Sequence, residues 1–365
     1  MSSDFGKNLK VSIFGQSHSA AIGAVLDGLP AGYRVDLAAL QAFADRRRAK
    51  DNLATARREA DKINVVSGLF EGRTCGAPLA LFIENGDVRS SDYAEIDKHP
   101  RPSHADYTSF VKYGLRDYRG GGHFSGRLTA ALCAAGGVAK QILEALGIFV
   151  GAHVCRVGGA TDQMFDPVNV QKSDFVYPTE FPALSAEAAE AMKAEILSAK
   201  SECDSVGGEV ECAVVGVPAG LGEPMFGGVE NLLAANLFGI PAVKGVEFGN
   251  GFAAAALRGT RNNDAFYYEN GAVKTKTNNA GGVNGGIANG MPVVFRVAFK
   301  PTASVFRPQD TVDLEKEENY SLLIRGRHDP CIAVRAVPVV ESVACLTVLD
   351  LLSGAQKDRL NQRGE

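Results

Sequence analysis

The chain is poor in the residues that cross-link, chelate or stack. Its 365 residues include only seven cysteines, an odd number scattered as Cys75, Cys133, Cys155, Cys203, Cys212, Cys331 and Cys345. They form no CxxC pair and no Cys/His cluster, which argues against a zinc site or a disulfide framework; no metal is expected. Aromatic residues make up only 8%. There is no cationic excess, since 38 Lys and Arg face 42 Asp and Glu for a net charge of −4. Bulk charge therefore draws the chain to neither nucleic acid nor an anionic membrane, and an anionic ligand must be held by local arginines. No apolar run approaches the roughly 20 residues that cross a bilayer. The opening MSSDFGKNLKVSIFG lacks the basic-then-apolar order of a signal peptide, so the expectation is a reduced, cytoplasmic protein with buried cysteines.

Glycine is abundant. Many of the 41 glycines cluster, at 120–122, 207–208, 227–228, 281–282 and 285–286, where turns or a close ligand approach need a backbone without Cβ. With 45% hydrophobic residues the chain can build a real core.

Strand-like runs occur at 11–14, 22–28, 63–70 and 77–85, the last two joined by a turn, and 209–218 and 292–300 alternate like half-buried strands. Asp36 is the N-cap of a first helix that runs into Arg46-Arg47-Arg48. The longest helical pattern spans 126–146, and its Gly136-Gly137 pair, costing about 1 kcal/mol per glycine, marks a helix crossing or a kink. Further helices fit 185–200, 227–239 and 338–352. Irregular alternation of strands and helices favours α+β over a doubly wound sheet. A single domain over 1–365 is expected, with 156–184 a polar surface insertion and 353–365 a poorly ordered tail.

RGGGHFSGR (119–127) has the glycines, arginines, histidine and serine of an anion loop leading into a helix N-terminus. It matches neither GxxxxGK[ST] nor GxGxxG, so it is no standard nucleotide loop. GQSHS (15–19), RPSHADY (101–107) and GRHDP (326–330) add Ser17, His18, His104, Asp106, Arg327, His328 and Asp329. A Ser/His/Asp hydrolase is a rival reading, but GxSxG is missing and adjacent Ser17 and His18 are not expected to hydrogen-bond as nucleophile and base.

These stretches fall together with ARREADKINVVSGLFEG, IENGDVRSSDY, DSVGGEVECAVVGVPAGLGEP, KGVEFGNGF, NNAGGVNGGIANG, FKPTASV and GRHDPCIAVRAVPVVE. In order and spacing, from about Phe5 to Leu352, the chain resembles the chorismate synthases. That resemblance implies an α+β sandwich of antiparallel sheets around a helical core, a homotetramer, and a carbon–oxygen lyase of the shikimate pathway. The implied reaction is a 1,4-anti-elimination of phosphate from 5-enolpyruvylshikimate 3-phosphate to give chorismate, requiring reduced FMN. It also implies roles by position. His18 lies near the substrate phosphate, His104 near the flavin, and Asp329 with Ser17 and Ser125 relays a proton. His123, Phe124, Ser125, Pro241, Ala242, Gly285, Lys300, Pro301, Thr302, Ala303, Ser304 and Arg327 bind FMN. Arg47, Arg48, Arg127 and Arg335 bind the substrate's phosphate and carboxylates, and Arg46 is read as a surface residue.

The chain departs from the family pattern in places. GESHG is here GQSHS, and RPGHAD is RPSHAD, with Ser103 tolerated at negative φ. RGGGRSSARETA becomes RGGGHFSGRLTA, so His123 replaces an arginine, making flavin or substrate affinity pH-dependent, and Phe124 offers an apolar contact. Leu53 stands where many members carry an arginine associated with NADPH, which favours an external flavin reductant. A non-catalytic flavin- or anion-binding relative is the alternative.

Overall fold

The computed structural model describes residues 3–48, 53, 60–86, 96–115, 117–324 and 328–362, without the side chains of 356–362. Two antiparallel sheets enclose a layer of helices. The first comprises β1 (Asp4–Phe5), β2 (Lys10–Gly15), β3 (Ala21–Asp27), β4 (Asn64–Ser67) and, beyond the small hairpin β5 (Leu69–Phe70) and β6 (Arg73–Thr74), β7 (Leu79–Glu84). Its spatial order is β1-β2-β3-β7-β4. The run at 63–70 thus breaks at Gly68 (φ +90) into two strands, a hairpin lying where one turn was expected. The second sheet takes the order β11-β16-β10-β8-β9. Its strands are β8 (Phe149–Val157), β9 (Ala160–Thr161), β10 (Gly208–Val215), β11 (Val243–Phe248) and β16 (Val293–Phe299), with Cys212 paired to both Phe295 and Ala152. Small hairpins β12–β13 (Phe266–Glu269, Ala272–Thr275), β14–β15 (Val283–Asn284, Ile287–Ala288) and β17–β18 (Gln309–Asp313, Glu318–Leu322) lie outside them.

Between the sheets, α3 (Thr129–Ala145) packs on β3 and β7, α7 (Ala333–Gln362) packs on β8 and β10, and the two helices pack on each other. The glycine pair in α3 marks a crossing. A Cβ on Gly136 would lie 2.2 Å from that of Ser342, and one on Gly137 would lie 2.6 Å from Leu40 Cδ1. Leu40 belongs to α1 (Leu37–Asp45), capped by Asp36, whose carboxylate accepts from the amides of Ala38 and Ala39. Deep burial of α3 follows from contact on several sides, and 13 of its 17 residues are buried.

Both faces of the second sheet are covered, so β10 and β16 are buried more fully than their alternation suggested. The polar stretch 156–184 supplies the cover: Phe165 and Val170 pack on Ala213 and Val294, and the Phe175 ring lies against Gly151. Below it, His153 Nε2 meets Glu211 Oε2 at 2.8 Å, and Glu211 also accepts from Phe165 N. The region read as a surface insertion is irregular because its few apolar residues each fill a separate gap.

The last helix also exceeds the sequence reading. It is helical to Gln362, through most of the segment read as a poorly ordered tail. Its Ala333–Ala355 stretch is long and apolar enough to cross a membrane by length and composition, where no such run was expected, yet 83% of its apolar window is buried inside the protein. Five cysteines are buried, Cys75 and Cys203 are exposed, and all seven are free.

Candidate active site

At one end of the helical layer lies a cleft of about 2230 Å³. Its walls come from the ends of α1 and α3, the glycine loop, the segment before α2 (Asp106–Tyr113), the chain after α5 (Val229–Leu237), the residues after β16 and the start of α7. This gathers most of the expected residues. Arg47, Arg48, Arg127, Asp329 and Arg335 line it, as do His104, the loop residues His123, Phe124 and Ser125, the turn residues Pro241 and Ala242, and Lys300–Ser304. Gly285, at the β14–β15 turn, is not part of the lining. Arg327 lies outside the described residues.

The glycine loop is built around the histidines. Gly120, Gly121 and Gly122 have φ of +63°, +97° and +55°. A Cβ on Gly120 would lie 2.5 Å from His18 Cε1 and 2.7 Å from Ser17 Oγ; one on Gly121 would lie 3.3 Å from His104 Nε2. Two adjacent glycines thus back onto the two histidines, and only glycine combines this backbone with this approach. Ser17 and His18 are buried behind Gly120, outside the cleft lining.

Ser17 and His18 hydrogen-bond, with Oγ to Nδ1 at 3.1 Å, but not as nucleophile and base. The Ser17 hydroxyl donates its one proton to Arg119 O at 2.8 Å, so His18 Nδ1–H is the donor to Ser17. That polarity is the reverse of a nucleophile–base pair, and with Ser17 fully buried the hydrolase reading fails. The turn bearing them is closed by Ser19, whose Oγ donates to Ala21 O and accepts from Gln16 N, and by Asn85 Nδ2 to Ser19 O at 2.7 Å.

A carboxylate absent from the sequence reading organises the arginines. Buried Asp61 lies between Arg127, joined through Nη1, and Arg47, whose Nη1 is 3.5 Å away. Arg47 also donates to Thr129 Oγ1 at 2.6 Å and Gly126 O at 2.8 Å. Arg127 reaches Asn85 Oδ1 at 3.0 Å, tying the His18 turn to the same group. Among the described residues, two buried cations share this carboxylate. Burial and the nearby Arg335 push the Arg47 guanidinium down to about 10. Arg335 pairs with Asp329 and donates from Nε to Arg47 O at 3.0 Å. Arg48 is 3.6 Å from Asp45 and 40% exposed, so it remains available to a ligand. Arg46 is not a plain surface residue: it grips the buried Glu341 of α7 by both nitrogens, at 2.7 and 2.8 Å.

His123 is held at both ring nitrogens. Its Nδ1 donates to Gly15 O at 2.7 Å, and Nε2 hydrogen-bonds Ser3 Oγ at 2.8 Å. The ring is a cross-link between the N-terminal segment and β2. Ser125 Oγ accepts from Arg127 N at 3.2 Å and caps the turn entering α3. Of the residues expected in the relay, Ser17 bonds His18 and Asp329 pairs with Arg335. Ser103 has φ +56°, not the negative value expected, a left-handed conformation costing roughly 1–2 kcal/mol outside glycine. Its carbonyl accepts from Lys300 Nζ.

Two further groups, Arg101 and His328, stood in the quoted motifs without an assigned role. Arg101 is buried, holds Asp106 and faces His104. His328 lines the cleft with Nε2 buried and without a hydrogen-bond partner among the described residues. Burial, reinforced by Arg101, pushes its imidazole down to about 4, so it is neutral near pH 7. Thr302 Oγ1 on the same cleft is likewise buried and unpartnered.

The chorismate synthase family model matches residues 9–352. The chain is 45% identical over 348 residues to the chorismate synthase of Korarchaeum cryptofilum, covering 95% of this chain and 96% of the relative. It is 48% identical over 348 residues to that of Thermococcus kodakarensis, with the same coverage. A solved crystal structure of chorismate synthase superposes with a TM-score of 0.74 at 28% identity, covering 96% of this chain and 93% of the other.

Proposed function

The chain belongs to the chorismate synthase family, and from that premise we propose that its cleft eliminates phosphate from 5-enolpyruvylshikimate 3-phosphate to give chorismate, as a carbon–oxygen lyase. One observation carries the reading. Among the described residues, the cleft of this net −4 chain is lined by eight Lys and Arg side chains against four carboxylates, all Asp. A substrate with one phosphate and two carboxylates matches that local field, and guanidinium forks suit both anions.

Arg48, Arg335 and the guanidinium groups of Arg47 and Arg127 hold the substrate's anions. The family resemblance gives His18 the protonation of the departing phosphate; its Nδ1 is fixed by Ser17, and the ring sits directly behind Gly120 of the cleft lining. His104 holds or moves a proton at Nε2 on the other side of the glycine loop. General acid–base help of this kind contributes about 10²–10⁴-fold in rate.

The cleft also fits reduced FMN as a second ligand. Its volume of about 2230 Å³ exceeds the roughly 1,000 Å³ upper range of single-ligand pockets. Phe124, Ile240, Pro241 and Ala242 offer an apolar wall, and Lys300 and the unpartnered Thr302 Oγ1 offer polar contacts. When bound, reduced FMN supplies electron density to the substrate ring as phosphate leaves. Exposed Phe226, Phe252 and Tyr268, each more than 80% accessible, support self-association into a homotetramer. Leu53, an apolar residue packed on the core, supports an external reductant.

The test is anaerobic turnover with the substrate and chemically reduced FMN, beside NADPH with oxidised FMN. Chorismate in the first reaction alone is expected. Chorismate in both overturns the external reductant, and none in either overturns the reaction.

A further inference from the structure

Asp106, the first residue of α2, closes a compact group with Arg101 and His104. One guanidinium edge meets its carboxylate squarely, Nε to Oδ2 at 2.7 Å and Nη2 to Oδ1 at 3.0 Å, and Arg101 N adds a bond to Oδ2 at 3.1 Å. The third guanidinium nitrogen, Nη1, reaches Ser304 Oγ at 3.3 Å. Arg101 and Asp106 are both buried, so neither exchanges its partner for water.

His104 Nδ1 lies 2.9 Å from Asp106 Oδ1 and 3.1 Å from Arg101 Nη2. One nitrogen cannot donate to the first and accept from the second at once. A lone pair on Nδ1 would face the carboxylate acceptor to acceptor. A proton there gives a charge-assisted hydrogen bond, while Nη2 keeps its own bond to the same oxygen. The proton therefore belongs on Nδ1, and Nε2 keeps its lone pair on the side of Gly121. The charged groups facing the ring are Asp106 on α2, Arg101 before it and Lys300 after β16. Burial and the two cations outweigh the carboxylate and lower the ring's affinity for a second proton, so the resting ring is neutral.

We propose that Asp106 and Arg101 are positioning residues for His104: Asp106 holds the proton on Nδ1, Arg101 holds Asp106, and Nε2 is thereby presented as the proton-accepting nitrogen. A proton arriving at Nε2 produces an imidazolium whose Nδ1–H already faces a carboxylate, so no group moves when the charge appears. This inference rests on the place given to His104 in the proposed reaction.

The direct test is ¹⁵N NMR of the imidazoles in the full chain, with His104→Gln to assign the signals. Wild type is expected to show His104 protonated at Nδ1 and bare at Nε2 near neutral pH. In Asp106→Asn, the amide can donate to Nδ1, and the tautomer is expected to invert. Turnover of that variant should fall about 100-fold in kcat with KM within about threefold, the scale of a lost acid–base group. His104→Gln/Asp106→Asn should be no slower than His104→Gln, because the two residues act as one unit. A wild-type ring protonated at Nε2 overturns the proposal. So does an Asp106→Asn enzyme that inverts the tautomer yet keeps kcat within threefold. Should Asp106→Asn not fold, the wild-type spectrum decides alone. Should wild type show no turnover, the reaction reading fails while the spectrum still decides the positioning claim.

Discussion

Replacing Gly120 by alanine tests the idea that the glycine loop exists to seat His18. The residue has φ +63°, which costs an alanine roughly 1–2 kcal/mol. Its methyl group would lie 2.5 Å from His18 Cε1 and 2.7 Å from both His18 Nδ1 and Ser17 Oγ. Ser17 is 0% and His18 9% exposed, so neither side chain has free space to retreat into. The Ser17–His18 hydrogen bond must open, adding about 1 kcal/mol. The sum is about 2–3 kcal/mol. An unfolding entropy of about 2.1 cal/mol/K per residue gives a chain of this length about 0.77 kcal/mol/K, so Tm should drop by about 3–4 °C. Gly159→Ala is the matched control, since nothing lies within 4 Å of its Cβ position, its φ is not positive and it lies outside the cleft lining. Scanning calorimetry should separate the two variants. Anaerobic turnover should fall at least 100-fold in Gly120→Ala, the scale of a misplaced catalytic group, and stay within threefold in Gly159→Ala. If Gly120→Ala matches Gly159→Ala in both assays, the loop is an ordinary turn and the argument from approach distances is wrong.

Asp61→Asn should strip the compensating charge from two buried arginines and destabilise the fold by about 3–5 kcal/mol; urea unfolding measures it, and a loss below 1 kcal/mol would show that Arg47 and Arg127 reach solvent or a counter-ion. His328 links stability to pH. Its folded-state affinity for a proton is depressed from 6.5 to about 4, so the unfolded chain takes up the proton first as pH falls. Stability from this residue is whole above pH 6.5 and is lost toward pH 4, by about 2 kcal/mol between pH 7 and 5. His328→Gln should flatten that limb of the pH–stability curve and, by removing an imidazole from the cleft, weaken FMN or substrate binding about tenfold in a titration, the worth of one hydrogen bond; an unchanged limb places the titration elsewhere.

The local parts of the protein were legible. Asp36 capped its helix, a helix was expected at 185–200 where α4 (Ala186–Ser201) lies, and the glycine pair of α3 marked a crossing, because caps, helical periodicity and helix-breaking glycines are written in residues a few positions apart. Family motifs named most of the cleft lining. Where the reading failed, a distant partner decided. Asp61 carries no motif, and its value comes from Arg47 and Arg127, which lie 14 and 66 residues away along the chain. Ser103 takes its left-handed backbone although a serine there was expected to avoid it. The stretch 156–184 looks polar because its buried residues are spaced to fill gaps in a sheet rather than to repeat with a helix or strand period. Arg46 was read from neighbours in sequence, while Glu341, 295 residues on, fixes it.

Sequence by itself determined which residues are present, the family, the turns that only glycine can make and the helices that cap themselves. Tertiary structure alone decided which charges are neutralised, which histidine nitrogen holds its proton, and that the apolar stretch 333–355 is a core helix. Propensity and capping act over a few residues. The sign and strength of an electrostatic or apolar contact depend instead on what the fold brings within a few ångströms and on how much water it leaves there.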